Sequence, residues 1–485
     1  MTPPPAQRDL SPAAAVRLLG AWRAGGPAYA ALADALRQSV LAGSLAPHTR
    51  LPSEREFAAA LGVSRATTTA AYRRLREAGF AVSRTGSGTV AVLPRPATPA
   101  ASEPGGDAPA PGAETLPDDG VDLSQATPPA PPELHGAFAR ALEALPAYLG
   151  RGGYEPFGVP ALRAAIADRY TERGAATSPE QILVTTGAQH AIALLAGSLL
   201  RPREAVVVQD PTYVHAIEAL RRGGARLVGV PCPADAALDV ELFASTLRRS
   251  RPRLAYLIPD FHNPTGLTLT AAERQAVRAA AERYGVTVLG DETLSELALD
   301  APDGAPASDA DVPPSLAGDG TSPYVVTVGS ASKAFWGGLR IGWVRAHPDV
   351  VARLARERGS LDIASPLLDQ LAVVELLAQR AEVLSGRRAS LRAQRDVLVD
   401  GLRAALPWDV PRPAGGLSVW PSLRAPLGQA FAAAAAAEGV LVNAGPTFSA
   451  LASGADRVRL TFTRPTADLE RALPRLVRAW ERVSG

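Results

Sequence analysis

From Val121 to the C-terminus, short apolar runs alternate with longer amphipathic stretches. The runs Ile182–Thr185, Ala205–Gln209, Leu254–Ile258, Val286–Leu289, Val325–Val328 and Ile341–Val344 are dominated by Val, Ile and Leu, with little polar alternation. That pattern predicts strands covered on both faces. Helices of ten or more residues fit between several of them, as over Ala271–Tyr284. Strands separated by helices imply an α/β domain with a largely parallel sheet and helices on both sides, in which ligands bind at the carboxyl ends of the strands.

The N-terminal region carries a different period. Leu32, Leu36 and Val40 recur at helical spacing. In "LPSEREFAAALG", Ser53 and Glu56 form a capping box that starts a helix, and Gly62 ends it. "VSRATTTAAYRRLREAG" starts a second helix at Ser64. Two helices joined by a glycine turn, the second polar at its N-terminal end, have the helix-turn-helix layout. "FAVSRTGSGTVAV" then predicts two short strands around a glycine-rich tip.

Between these regions, residues 93–120 hold 7 Pro, 6 Ala and 4 Gly in 28 positions without apolar periodicity, a composition that reads as an extended, flexible linker. The expected organisation is an N-terminal arm (1–26), weakly ordered; a helix-turn-helix with a wing (27–92); the linker (93–120); and the α/β region (121–485).

Charge changes the picture only locally. The chain has 485 residues, with 50 basic against 48 acidic. Residues 27–92 hold 8 Arg and 4 Asp or Glu, a net of +4, so the basic excess sits on the predicted DNA reader. One cysteine, Cys232, excludes an internal disulfide framework and reads as a small buried hydrophobe. The six histidines are scattered and offer no zinc spacing, so no metal is expected. No basic start precedes an apolar core at the N-terminus, and the alanine run Ala430–Ala437 is too short to span a bilayer. These features predict a cytoplasmic protein with no membrane partner.

Of the 50 basic residues, 49 are arginine and one is lysine, Lys333. One reading of the arginine excess is codon bias. A lysine that persists against it is a candidate for chemistry arginine cannot perform, above all condensation with an aldehyde. In "VTVGSASKAFWGGLRIGWV", Ser330 and Ser332 flank Lys333 and Arg340 lies seven residues on. Hydroxyls and a guanidinium beside an amine suit a phosphorylated aldehyde cofactor. Further candidates follow the same order of strand ends. In "ILVTTGAQHAIALLAG" the backbone N–H groups of Gly187, Ala188 and Gln189 would face an anion at a helix start. Tyr213 in "DPTYVHA" could stack on a pyridine ring, and Asn263 in "IPDFHNPTG" could bond a ring hydroxyl. Asp291 in "VTVLGDETLSEL" could keep the pyridine nitrogen protonated, and Arg459 in "DRVRLTFT" could hold a substrate carboxylate. Each alone has a structural reading: a turn at Asn263, a cap at Asp291, a core ring at Tyr213, a surface charge at Arg459. Their joint order favours the cofactor, pyridoxal 5'-phosphate.

The segment from "LPSERE" through "SRTGSGT" resembles the GntR family of winged helix-turn-helix regulators. That resemblance implies binding of double-stranded promoter DNA: Arg55 and Arg65 at phosphates or base edges, Ser64, Ala66, Thr67 and Thr69 at the major groove, and Gly86 near the minor groove at the wing tip. "NPTG" and "SxSK" with the downstream arginine resemble the fold-type I aminotransferases over roughly residues 121–485, which implies a mostly parallel sheet and a smaller C-terminal α+β subdomain. The combination resembles the MocR subfamily. "GYEPFGVPALRAAI" matches that family's tyrosine segment, which implies that Tyr154 reaches the phosphate across a head-to-tail homodimer. Relatives commonly carry Asp-x-Tyr where this chain has Asp291-Glu292-Thr293. Thr293 is too short to bond the ring hydroxyl unaided, so the resemblance favours sensing of an amino compound, or of the cofactor itself, at Lys333. The alternatives are a working aminotransferase with an accessory reader, and a plain repressor that has lost the cofactor.

Overall fold

The computed structural model describes residues 8–23, 26–84, 88–94, 116–117, 119–232 and 236–484. They fall into two units: the N-terminal residues together with Pro131–Ala139, and the remainder from residue 116 onward.

In the first unit, helices Ala28–Leu41, Glu54–Leu61 and Arg65–Glu77 surround a core of Leu32, Leu36, Val40, Phe57, Tyr72 and Leu75. Ser53 accepts from Glu56 N while the Glu56 side chain returns to the Ser53 backbone, so the predicted capping box forms. Gly62 ends that helix at φ 65°, a left-handed position that favours glycine. Ser64 caps the next helix through Thr67 N. Strands Ala81–Arg84 and Gly88–Ala91 pair antiparallel as a wing. Its tip, including Gly86, lies outside the described residues, as does most of the linker expected over 93–120.

The arm expected to be weakly ordered needs correction. Arg8–Asp9 pairs with Thr49–Arg50, and Pro12–Leu19 is a helix capped by Ser11. It buries Ala15 and Leu19 in the same core. Only two of the eight residues are buried, too few to mark a period in sequence, and burial against neighbouring helices stabilises what propensity alone would not.

The second unit is built on a seven-stranded sheet. Across it the order is Ile182–Thr185, Gly342–Arg345, Val325–Ser330, Thr287–Asp291, Leu254–Leu257, Ala205–Asp210 and Arg226–Pro231. All neighbours pair parallel except Gly342–Arg345, which is antiparallel to both sides. Val206, Val208, Leu254, Tyr256, Leu289, Val326 and Val328 pack under the covering helices. The edge strand Arg226–Pro231 is absent from the sequence reading: it is half-exposed, and Gly229 and Pro231 weaken its short apolar run. A smaller α+β subdomain follows: Ser418–Val419, Val458–Thr461 and Asn443–Ala444 form a three-stranded sheet under helices Arg380–Ala405, Gly428–Ala437 and Thr466–Ser484. Val121–Asp122 pairs parallel with Val440–Leu441 of this subdomain. Among the described residues, no helix is long and apolar enough to cross a membrane.

Candidate cofactor site and DNA reader

The carboxyl ends of the central strands gather most of the candidate residues. Val325–Ser330 runs into the short helix Ala331–Ala334, which presents Lys333. Its Nζ donates to the Ala126 carbonyl at 2.9 Å. Burial pushes the amine down to about 8, helped by the charges of Arg459 and Arg340 and opposed by Asp291. A lysine of this kind has a substantial neutral fraction near neutral pH and is a competent nucleophile. Ser330 Oγ accepts from Ser332 N at 3.0 Å and donates to the Ile341 carbonyl. Among the described residues, Ser332 Oγ is buried without a hydrogen-bond partner.

The anion cradle lies beside it. Gly187 at φ 85° opens the helix Ala188–Leu199. A Cβ placed on Gly187 would stand 2.7 Å from Arg340 Nη2, and one on Gly342 would stand 2.5 Å from Ala188 N. The glycines therefore let Arg340 close over a helix N-terminus, where backbone N–H groups and the helix dipole favour negative charge. Among the described residues, Arg340 has no acidic partner; it donates only to the Thr186 carbonyl, at 3.4 Å. The Gln189 side chain turns away to the His215 carbonyl, leaving its backbone for the cradle.

Asp291 ends the strand Thr287–Asp291 and is buried. Burial raises its pKa, while hydrogen bonds from Tyr256 and Thr293 oppose the rise. Tyr256 Oη donates to Oδ2 at 2.7 Å and Thr293 N to Oδ1 at 3.1 Å. Tyr213 follows the strand Ala205–Asp210; burial and then the Asp291 charge push its hydroxyl up to about 12.

Arg459 is the least conventional member. Its guanidinium donates to Asn263 Oδ1 at 3.0 Å, Asn443 Oδ1 at 2.8 Å and the Ser124 carbonyl. Its Cζ lies 4.6 Å from the centre of the Phe448 ring. Burial pushes it down to about 10, opposed by the charges of Tyr213 and Asp122, and among the described residues each acceptor that it bonds is neutral. A buried cation whose hydrogen bonds, among the described residues, all go to neutral acceptors is receptive to a carboxylate.

The site thus brings together Lys333, Asp291, Asn263, Tyr213, Arg340, Ser330, Ser332, Arg459 and the Gly187–Gln189 turn. Tyr154 stands apart, 68% exposed. Thr293 lines a cavity of about 40 Å³ with Tyr170, Arg173 and Trp343. Cys232 carries none of this chemistry, because burial pushes its thiol up to about 12. Sequence reasoning missed Tyr256 and the carbonyls of Ser124 and Ala126. A tyrosine inside the aliphatic run "LAYLIPD" was the one available signal for the first; backbone acceptors leave none.

In the reader, Arg55, Ser64, Arg65, Ala66 and Thr69 are exposed along the glycine turn and the following helix. Ser64 and Thr67 share a hydroxyl contact at 2.9 Å, and Thr69 donates to Glu54 Oε2 at 2.6 Å. Arg50, not foreseen, stands at the root of the wing: a Cβ on Gly88 would come within 2.9 Å of its Nε.

The Lys333 amine, the partnerless Ser332 hydroxyl and the cradle at Gly187 fit pyridoxal phosphate, and the comparisons agree. Residues 124–476 match the family described as aminotransferase class I and II, and residues 28–90 match bacterial regulatory proteins of the gntR family. The chain is 32% identical to a 2-aminoadipate transaminase of Thermus thermophilus, over 64% of this chain and 75% of that protein. It is 30% identical to the probable rhizopine catabolism regulatory protein MocR of Rhizobium meliloti, over 73% and 72%. Among solved structures, LysN, the alpha-aminoadipate aminotransferase of Thermus thermophilus complexed with N-(5'-phosphopyridoxyl)-L-leucine, superposes with a TM-score of 0.67 at 28% identity, covering 76% of this chain and 93% of that one.

Proposed function

Since this chain belongs to the MocR subfamily of GntR-type regulators, a gntR-family reader fused to an aminotransferase class I and II domain, we propose that the large domain senses an amino compound bearing a carboxylate, or the cofactor itself, and thereby sets the DNA affinity of the reader. The observation that carries this reading is a lysine pushed down to about pKa 8 beside a buried arginine whose hydrogen-bond acceptors, among the described residues, are all neutral. When bound, pyridoxal phosphate supplies an aldehyde that condenses with primary amines and a ring that withdraws electrons.

The chain's own residues do the rest. Gly187, Ala188 and Gln189 offer backbone N–H groups to the phosphate, with Ser330, Ser332 and Arg340 beside them. With the cofactor bound, Asp291 would hold a proton on the pyridine nitrogen, Asn263 would bond the ring hydroxyl and Tyr213 would stack on the ring. Arg459 orients the carboxylate of the amino compound. The protein works as a head-to-tail homodimer in which the exposed Tyr154 of each subunit completes the phosphate site of the other. Arg55 and Arg65 hold DNA phosphates, while Ser64, Ala66, Thr67 and Thr69 meet base edges and Gly86 follows the minor groove.

The test is binding of the full-length protein to its own promoter region, read by fluorescence anisotropy with and without pyridoxal phosphate and a panel of amino acids and amines. A ligand should change Kd by about 5–150-fold, the usual range of allosteric coupling. Arg65→Ala should bind DNA far more weakly and with a shallower salt dependence. Promoter affinity indifferent to every ligand would sink the sensing claim.

A second reading, a working aminotransferase, is favoured by the similarity to a transaminase and by the assembled site. Sustained turnover of an amino donor with a keto acid would establish it; a single half-reaction would not.

A further inference from the structure

The main chain around Ala126 connects the two residues on which the proposed sensing rests. Residues 121–125 are fastened to the C-terminal subdomain. Leu123 N donates to the Leu441 carbonyl, and Thr461 N donates to the Leu123 carbonyl. Arg459 donates to the Ser124 carbonyl, and the Thr461 and Thr463 hydroxyls donate to the Gln125 carbonyl at 3.2 and 3.1 Å. Beyond that, among the described residues, the one hydrogen bond involving residues 126–130 comes from Lys333 Nζ to the Ala126 carbonyl.

The next stretch of chain is stiff. Residues 128–132 read Pro-Pro-Ala-Pro-Pro. Proline-rich chain of this kind is extended and semi-rigid, and transmits displacement along its length. Its far end belongs to the reader's unit, which includes Pro131–Ala139. There Pro132 lies so close to Gly43 that a Cβ on Gly43 would collide with the Pro132 Cβ. His135 Nε2 lies 3.2 Å from Gln38 Oε1, on the helix Ala28–Leu41. The chain from the Lys333 acceptor to Pro132, beside the reader's first long helix, is thus six residues, four of them proline.

We propose that residues 126–132 are a strap through which Lys333 regulates the reader: the free amine tethers Ala126, and condensation at the amine releases it. The inference rests on the reading of Lys333 as the cofactor amine. As the C=N bond forms, the lysine ammonium gives up two hydrogens, which leave with the aldehyde oxygen as water. One N–H then remains where three stood, and the ring oxygen beside the aldehyde carbon would hold it, so the Ala126 carbonyl would lose its donor. When an amino compound displaces Lys333, the amine is free to tether Ala126 again, while the compound's carboxylate on Arg459 competes with the Ser124 carbonyl. Cofactor-free, cofactor-loaded and ligand-bound protein therefore hold the strap by different sets of bonds.

Amide hydrogen exchange of the full-length protein, followed in the peptide covering residues 123–130, tests this. A charge-assisted hydrogen bond shifts a local opening equilibrium by about tenfold. Loading wild type with pyridoxal phosphate should speed exchange there by about that factor, with loading read independently from the absorbance of the bound chromophore. Lys333→Ala without cofactor should show the same rise, whereas Lys333→Arg, which keeps a charged donor but cannot condense, should stay protected. Unchanged exchange in both loaded wild type and Lys333→Ala overturns the tether. A chromophore that never forms defeats the cofactor reading instead, and the two failures are distinguishable. Pro132→Gly, at the other end, should load cofactor normally yet bind promoter DNA with the same affinity loaded or unloaded; a loading-dependent affinity that survives in this variant overturns the relay.

Discussion

Tyr256 and Asp291 meet in the middle of the sheet, the phenol donating to the carboxylate at 2.7 Å with both side chains buried. They stand on neighbouring parallel strands, Tyr256 opposite Leu289 and two residues short of the position facing Asp291. The bond favours the ionised carboxylate against the burial that disfavours it. Tyr256→Phe should therefore raise the Asp291 pKa further and weaken pyridoxal phosphate binding by about tenfold, the worth of one hydrogen bond to a charged group. Cofactor titration followed by absorbance checks this, and a shifted pH dependence of the chromophore separates it from a simple packing defect.

Lys333 sets a pH window for cofactor capture. Its amine is pushed down to about 8, so the neutral form that attacks an aldehyde grows as pH rises through that value. The rate of loading should climb about tenfold per pH unit below 8 and level off above it. In an unfolded chain the same amine keeps its ordinary, higher pKa, so the plateau should move upward when the protein is denatured in urea.

Arg459 should control which ligands are sensed. Arg459→Ala should leave cofactor loading largely intact while removing the preference for amino acids over the corresponding amines without a carboxylate. Loss of one charged pair in a buried site predicts a penalty of about 2–5 kcal/mol for the carboxylate ligand. Isothermal titration of paired ligands measures it; equal loss for both members of a pair would assign Arg459 to structure.

The fold depends on a buried ion pair behind the site. Arg173 donates to Glu292 at 2.9 Å, and Glu292 also accepts from Ser315 Oγ and Leu316 N. Arg173→Met would leave Glu292 buried without its cation, and should destabilise the large domain by about 3–5 kcal/mol in a urea titration. The double variant Arg173→Met with Glu292→Gln should recover part of the loss.

Much of this was legible along the chain, because the relevant constraints are local. Alternating apolar runs and helices specify an α/β sheet, and most strand bounds came within a residue or two, since a covered strand must be apolar on both faces. Ser53, Glu56 and Gly62 specify a helix and its ends through bonds spanning four residues. Lys333 stood out by composition alone. Tertiary structure decided what depends on residues distant in sequence. It gave the half-exposed edge strand Arg226–Pro231 its partner and packed Pro12–Leu19 into the reader core. It set Tyr256 against Asp291 and left Arg459 buried among neutral acceptors. It also placed Lys333 against the Ala126 carbonyl, 207 residues away. A backbone carbonyl is the same in every residue, so no choice of side chain at position 126 could announce it.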